Sequence, residues 1–325
     1  MVYVPGMRFL STSDAQFWCQ QGSDAISEAR KISMLGGPAL ALLAKLAEVA
    51  DGPVIELGPY IGGSTIALAS RCRAKVVTVE IGGPNLGHEL SSEDIVADLR
   101  RNIARMGFAD RVTIVEGHFR GSDVVSNVVA GLGGRPAALL FVDLMPGTEV
   151  ALSIYARHLS DTAFVVVDDY RSDIASDKAE WVRRFVDGAV SDGALEEIGV
   201  FGWGTWFGRL LPGGREALVS RCGPVPCVHD TGHAWQVYVG HSGIADDATR
   251  NTSPLELLED GKLLGPSHTQ HAEIREKGGG RYSHWGGNLW FSASDNRDPR
   301  LNGRRYSMRV DGREIDLCAP EPFPE

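Results

Sequence analysis

Five short runs of apolar and β-branched residues, PVIEL (53–57), KVVTVE (75–80), RVTIVEG (111–117), AALLFVDL (137–144) and AFVVVDD (163–169), punctuate the first half of the chain. Between them lie segments with helical character, such as STIALASRC (64–72) and SEDIVADLRRNIARMG (92–107). A strand that is apolar at every position has no face to give to water, so it must be covered on both sides. Parallel pairing needs long crossovers, and the intervening helices supply them. The pattern therefore predicts a doubly wound α/β domain, preceded by a well-packed helix over PALALLAKLAEVA (38–50), whose Pro38 stands at a plausible first helical position.

After a further helix, DKAEWVRRFVDGAV (177–190), come LEEIGVF (195–201) and TWFGRLL (205–211), separated only by a GWG turn. So short a connection allows only an antiparallel hairpin. A parallel sheet that closes on such a hairpin is unlike a dinucleotide-binding domain. Past LLPGGR the character changes to strand-sized pieces divided by Gly, Asp, Asn and Pro, which reads as a small all-β domain, a sandwich being the economical form. At 325 residues the chain is long enough for two domains. The division expected is 1–37 as an N-terminal lid or homodimer-interface segment carrying Phe9, Phe17 and Trp18, 38–212 as the α/β domain, and 213–325 as the β-rich domain.

A net charge of -10 without any basic run makes nucleic acid and anionic membrane surfaces poor partners. The N-terminus lacks a basic start and a long apolar core, and the most apolar stretch is interrupted by Lys45, so a soluble cytoplasmic protein is expected. Five scattered cysteines make no disulfide framework. Cys222, Cys227, His229 and His233 fit no common zinc spacing and read as loop residues.

Ligands of a doubly wound sheet bind beyond the carboxyl ends of its strands. There the first run ends in Glu56-x-Gly58-x-x-x-Gly62-Gly63-Ser64. The spacing matches neither G-x-G-x-x-G nor a P-loop, and no lysine is present to meet a phosphate. Glycines at 58, 62 and 63 would clear space for a ligand, and Ser64 or Thr65 could cap the following helix. Glu80, ending the second run, can accept both hydrogen bonds of a ribose diol. The alternatives are glycines present for packing and Glu80 as a surface strand end. Clearance plus a ribose-binding acid, with no phosphate reader, suits an adenosine-containing ligand such as S-adenosylmethionine.

Taken together, VIELGPYIGGSTIALA, VVTVE, RVTIVEGHF, LLFVDLMPG, VVVDD and GTWFGRL, in that order over residues 38–212, resemble a class I S-adenosylmethionine-dependent methyltransferase. The likeness is to the metal-assisted O-methyltransferases of the macrocin and catechol types. The resemblance implies a Rossmann-like sheet, with Glu56, Gly58, Tyr60, Gly62 and Ser64 near the methionine part, Glu80 on the ribose, and Gly117 and His118 beside the adenine.

Asp143 ends the fourth run and Asp168-Asp169 the fifth. In the methyltransferase strand order these acids converge beside the glycine corner, where they repel one another unless a cation or protons intervene. Hard oxygen donors suit Mg2+ or Mn2+ better than zinc. The resemblance gives Asp143, Asp168 and Asp169 the metal and makes Asp143 part of the catalytic centre. The other reading of the pair is a turn with an Asp helix cap. In DLMPGTEV, Met145 and Pro146 cannot transfer protons, so the base that several relatives carry after the strand-4 Asp is missing; His88 and His118 are the candidate bases, and Glu149 could support the metal ligands from behind. Expected partners are a small-molecule or glycan acceptor. Tyr282, His284, Trp285 and Trp290, near Asp295, Asn296, Asp298, Arg300 and Asn302, could bind sugar or simply fill a small β core. Two rivals stay open: a carbohydrate-binding or scaffold protein with an idle methyltransferase-like domain, and a hydroxylase on the same fold that uses the acids for iron.

Overall fold

The computed structural model describes residues 24–144, 147–170, 177–202, 204–221, 227–239, 244–247, 249–286, 288–310 and 312–317. The chain divides after Leu218 into two compact units. The first runs α1 (Asp24–Lys31), α2 (Gly37–Val49), β1 (Val54–Leu57), α3 (Gly63–Arg71), β2 (Val76–Glu80), α4 (Ile95–Arg105), β3 (Val112–Glu116), α5 (Ser122–Gly131), β4 (Ala137–Val142), α6 (Thr148–Ala156), β5 (Leu159–Val167), α7 (Asp177–Ser191), β6 (Leu195–Phe201) and β7 (Thr205–Leu210). Its seven strands form one sheet in the order β3-β2-β1-β4-β5-β7-β6. The first five strands pair in parallel, and β7 runs antiparallel between β5 and β6. This is the expected Rossmann-like methyltransferase sheet with its terminal hairpin.

Every residue of β1, β2 and β4 is buried, as continuous apolar runs require. On one face Val54, Val76, Leu139, Phe141, Phe164 and Val166 join a single apolar cluster with Leu40, Leu43 and Leu46 of α2 and Ile66 and Ala67 of α3. Helix α2 packs against α1, α3 and β6, which explains why its apolar residues occupy more than one face. The fourth helix is narrower in its demands: Asp94 caps it by accepting from Ala97 N at 2.9 Å, and Leu99 and Ile103 face inward.

Part of the expected N-terminal segment belongs to this core. Ala25, Ile26 and Ala29 of α1 are buried in the same cluster, and Glu28 pairs with Arg105 of α4 at 3.2 Å. The described part of the expected lid or interface segment therefore includes a helix packed on this core; Phe9, Phe17 and Trp18 lie outside the described residues. At the other end the first unit extends past 212. Arg215, on α8 (Gly214–Arg221), donates to Leu159 O at 3.0 Å and pairs with Asp161 at 2.6 Å, and Leu218 is fully buried, so the start of this helix is fastened to β5.

The second unit holds β8 (Val228–His229), β9 (Trp235–Tyr238), β10 (Glu256–Glu259), β11 (Lys262–Leu263), α9 (His271–Lys277), β12 (Tyr282–Trp285), β13 (Asn288–Phe291), β14 (Tyr306–Val310) and β15 (Arg313–Asp316). Two antiparallel four-stranded sheets, β11-β10-β14-β15 and β12-β13-β9-β8, contribute Leu257, Tyr306 and Met308, and Val237, Leu289 and Phe291, to one apolar cluster. Buried Glu259 braces it, accepting from Tyr306 Oη and Arg304 Nη1, each at 2.8 Å. Cys227 lies in this core and His229 Nε2 meets Gly232 O at 2.9 Å; Cys222 is outside the described residues. No helix among the described residues is long and apolar enough to cross a membrane.

Truncating a side chain at the α2 contact tests this account. Leu46→Ala removes a fully buried side chain, and the first unit's urea transition is expected to lose about 2–5 kcal/mol.

Candidate active site

Strand register brings the candidate residues to one edge. Leu57 stands beside Val79 of β2 and Val142 of β4, and Val142 stands beside Val167 of β5. Gly58, Glu80, Asp143 and Asp168 therefore leave the sheet along a common line. Asp143 N donates to Leu57 O at 2.9 Å and Asp168 N to Val142 O at 3.0 Å, carrying the ladder one step beyond the strands.

One carboxylate oxygen from each of Asp143, Asp168 and Asp169 lies within 4.8 Å of the other two, and all three residues are half-buried. Oxygen ligands of a single Mg2+ sit about 2.1 Å from it, hence up to roughly 4.2 Å apart. The donors are hard oxygens at a half-open site, a set that fits Mg2+ or Mn2+. Asp169 adopts a left-handed backbone, φ 58°. Tyr170, next in sequence, is buried and donates to Asp187 of α7 at 2.6 Å, which fastens the acid pair from behind. The Thr205 hydroxyl donates to Asp168 Oδ1 at 2.6 Å.

The glycine corner is built differently from its sequence reading. A Cβ on Gly58, whose φ is 83°, would lie 2.0 Å from Asp143 O; one on Gly62 would lie 2.7 Å from Leu99 Cδ1, and one on Gly63 2.4 Å from Ser33 Cβ. The room these glycines make is filled by the protein itself, by the β4 end, by α4 and by the α1–α2 connection. They are packing glycines, and ligand clearance is not what requires them. Gly62 is the N-cap of α3 without a side-chain cap, so neither Ser64 nor Thr65 caps it. Instead Thr65 Oγ1 donates to Glu56 Oε2 at 2.6 Å.

Glu56 is fully buried, on the sheet face that α3 covers. Burial pushes its carboxyl above the ordinary 4.5, with the hydroxyls of Ser64, Thr65 and Thr78 opposing that shift. Thr65 gives Oε2 a well-formed bond, whereas Oε1 has no partner of normal hydrogen-bond geometry. The structure thus seals Glu56 behind α3. Ser64 is itself buried in the first turn of that helix.

Glu80 is the more open acid of the corner. Its Oε2 accepts from Tyr60 N at 3.1 Å and its Oε1 from Gly82 N at 3.2 Å. Burial raises its pKa, and the backbone N–H groups of Gly82, Ile81 and Tyr60 oppose the rise. Tyr60, at φ 52°, also donates through its hydroxyl to Leu90 O, so one residue ties both Glu80 and the loop after β2 to the corner. From α4, Asn102 Nδ2 donates to Ile61 O at 2.8 Å and fixes the corner from below. Gly117 N donates to Glu80 O at 2.8 Å, and a Cβ there would lie 2.6 Å from Val124 Cγ2.

The two histidines fare unequally as bases. His118 is stacked on Phe119 at 4.7 Å, its Nδ1 accepts from Arg120 N at 3.3 Å, and burial with the Arg120 charge pushes its pKa down to about 3. A group so reluctant to take a proton is poorly matched to general-base work at neutral pH. His88 is exposed on the loop after β2, which is separated from β4 and β5 by β1, and it is no member of the carboxylate group. Met145 and Pro146 lie outside the described residues.

In the second unit the aromatics proposed for sugar stacking are largely committed. Tyr282 and His284 are buried, and His284 Nδ1 meets Ser253 Oγ at 2.7 Å. Trp290 is stacked by His271 at 4.2 Å with the Arg275 guanidinium 5.4 Å from its centroid. Asp298 and Arg300 pair with each other at 2.8 Å, and Asn296 accepts from Gly279 N at 2.6 Å. These groups build the unit; Trp285 remains 40% exposed.

The strand order with its antiparallel end defines a Rossmann-like methyltransferase fold. No family model matches the chain and no curated protein sequence matches it. Solved structures with this likeness include the O-methyltransferase TomG of Streptomyces achromogenes, in complex with SAM and involved in tomaymycin synthesis, at 20% identity, 62% of this chain, 96% of that chain and a TM-score of 0.47. An O-methyltransferase of Bacillus cereus in complex with SAH is 16% identical over 62% of this chain and 97% of its own, with a TM-score of 0.46. The SAH-bound methyltransferase PaMTH1 of Podospora anserina is 18% identical over 65% of this chain and 99% of its own, with a TM-score of 0.44.

Two substitutions test the corner. Gly58→Ala meets both the positive φ and the Asp143 carbonyl, and is expected to cost at least about 1–3 kcal/mol of stability in thermal or urea unfolding. Because the folded state raises the Glu56 pKa, its contribution is most favourable below the ordinary 4.5 and is lost as pH climbs through the raised value. Glu56→Gln is therefore expected to gain Tm relative to the unmodified protein as pH rises from about 4 to 8; a pH-independent difference would contradict the burial account.

Proposed function

We propose that the first unit is an S-adenosylmethionine-dependent O-methyltransferase that works with Mg2+ or Mn2+ on a hydroxyl of a sugar, glycoside or other natural product. The observation that carries this reading is the meeting of Asp143, Asp168 and Asp169 at the carboxyl edge of the sheet, in line with the glycine corner and Glu80. Parallel sheets bind ligands at that edge. The sulfonium methyl of S-adenosylmethionine is already activated, and a divalent cation lowers the pKa of a coordinated hydroxyl.

The chain's own contribution is positional. Glu80 presents a carboxylate whose two oxygens are oriented by Tyr60 N and Gly82 N, the arrangement a ribose diol needs. Gly117 and His118 follow β3, on the side of β2 away from β1, where the adenine would lie. Asp143, Asp168 and Asp169 would hold the cation. Holding methyl donor and acceptor oxygen in line at one edge supplies the proximity that a methyl transfer requires. Neutral His118, with a pKa of about 3, suits contact with an uncharged base better than proton transfer, which leaves His88 as the histidine candidate for a base.

An iron hydroxylase is disfavoured by the donor set: its metal commonly takes two histidines and one carboxylate, and the group formed by the described residues is three aspartates. The idle-domain alternative is separated by experiment. Titration calorimetry with S-adenosylmethionine and S-adenosylhomocysteine, with and without Mg2+, is expected to show binding of both. Glu80→Gln is expected to weaken that binding about tenfold or more, the cost of perturbing a charged hydrogen bond to the diol. Methyl transfer to a panel of glycosides and phenols should fall at least a hundredfold in Asp143→Asn and on EDTA treatment. No binding of either nucleoside sinks the reading; turnover indifferent to EDTA and to Asp143→Asn sinks the metal alone.

A further inference from the structure

We infer that Thr205 is a positioning residue for the cation centre: its hydroxyl fixes the Asp168 carboxylate in the orientation that binds a divalent ion. This rests on the methyltransferase reading and extends it to a residue outside the acid motif. Thr205 is the first residue of β7 and pairs with Phe201 across the β6–β7 hairpin. In the antiparallel β5–β7 ladder Val167 faces Trp206, so the next step brings Thr205 opposite Asp168. The Thr205 side chain is almost wholly enclosed, at 2% exposure for the residue, and its Oγ1 lies 2.6 Å from Asp168 Oδ1.

An ionised carboxylate only accepts, so the single hydroxyl hydrogen of Thr205 is committed to Oδ1. Charge-assisted O–H···O⁻ bonds of this length are among the stronger ones. A β-branched side chain has few χ1 choices, and burial removes water as a competing donor. The Asp168 carboxylate is consequently held against rotation from the side of the hairpin. Its backbone is held from the other side, by the N–H bond to Val142 O at 3.0 Å. Carboxylates that ligate metals need such outer partners, whose loss typically costs 10- to 100-fold in metal affinity or activity. The antiparallel hairpin thereby gains a purpose at the site beyond closing the sheet.

The test compares Thr205→Val, which keeps the shape and deletes the donor, with Thr205→Ser, which keeps the donor. Mn2+ affinity is measured by the electron paramagnetic resonance signal of the free ion, on the full chain without S-adenosylmethionine or acceptor. Thr205→Val is expected to bind Mn2+ at least about tenfold more weakly, and Thr205→Ser within about twofold of the unmodified protein. S-adenosylmethionine affinity in EDTA, measured by calorimetry, is expected to be unchanged in both. Equal Mn2+ affinity in Thr205→Val overturns the inference while leaving the methyltransferase reading intact. Absence of Mn2+ binding in the unmodified protein overturns the metal part of that reading and this inference with it. Should Thr205→Val not fold, Thr205→Ala replaces it with the same two outcomes.

Discussion

Leu57, Val142 and Val167 stand abreast on three adjacent parallel strands, and that alignment governs the chemistry-bearing edge. Parallel neighbours are about 4.8 Å apart, so residues leaving the ladder one position later emerge as a row with that spacing. Gly58, Asp143 and Asp168 are that row. A slip of one residue would turn each side chain to the opposite face. The slip is resisted by the apolar residues buried on both faces of β1 and β4. Core packing far from any ligand thus sets the separation of the carboxylates.

Within that frame the same functional group takes two characters. Glu56 is enclosed beneath α3, bonded to Thr65 and displaced toward its neutral form. Asp143, Asp168 and Asp169 are half-open and face one another. Burying a carboxylate without full compensation is costly, so Glu56 braces a helix at some expense in stability. The aspartates keep access to ions from solvent. Position along the strand makes the difference: Glu56 is inside β1, with Thr78 and Phe141 as flanking neighbours, whereas the aspartates lie past the strand ends.

The sheet was legible because strands covered on both faces carry no polar alternation, and their order followed from helical crossovers and one tight hairpin. The acids were legible because they end those runs. What the glycines do was not. Sequence shows that a Cβ is missing, but the neighbour that uses the space at Gly58 is 85 residues away, and at Gly63 it is Ser33. Thr205 was within reach of reasoning, since antiparallel pairing of TWFGRL with AFVVVDD sets it opposite Asp168; its short polar side chain gave no signal until the register was known. The aromatics of the second unit left two readings open, sugar stacking or a small β core, because composition is silent on whether a ring face is already covered. His271 covers Trp290, and Arg300 lies 4.6 Å from the Trp235 centroid.

The left-handed backbone at Asp169 restricts the routes by which this edge can diverge. At φ 58° a β-branched or bulky residue is strained, whereas Gly, Asn and Asp are tolerated. Of these, Gly deletes the oxygen and Asn retains one as a neutral carbonyl. Mutational drift at this position is therefore channelled toward an amide that still offers an oxygen to a cation while lowering the negative charge. The backbone, through its own steric limits, conserves the donor type and leaves the charge as the adjustable quantity.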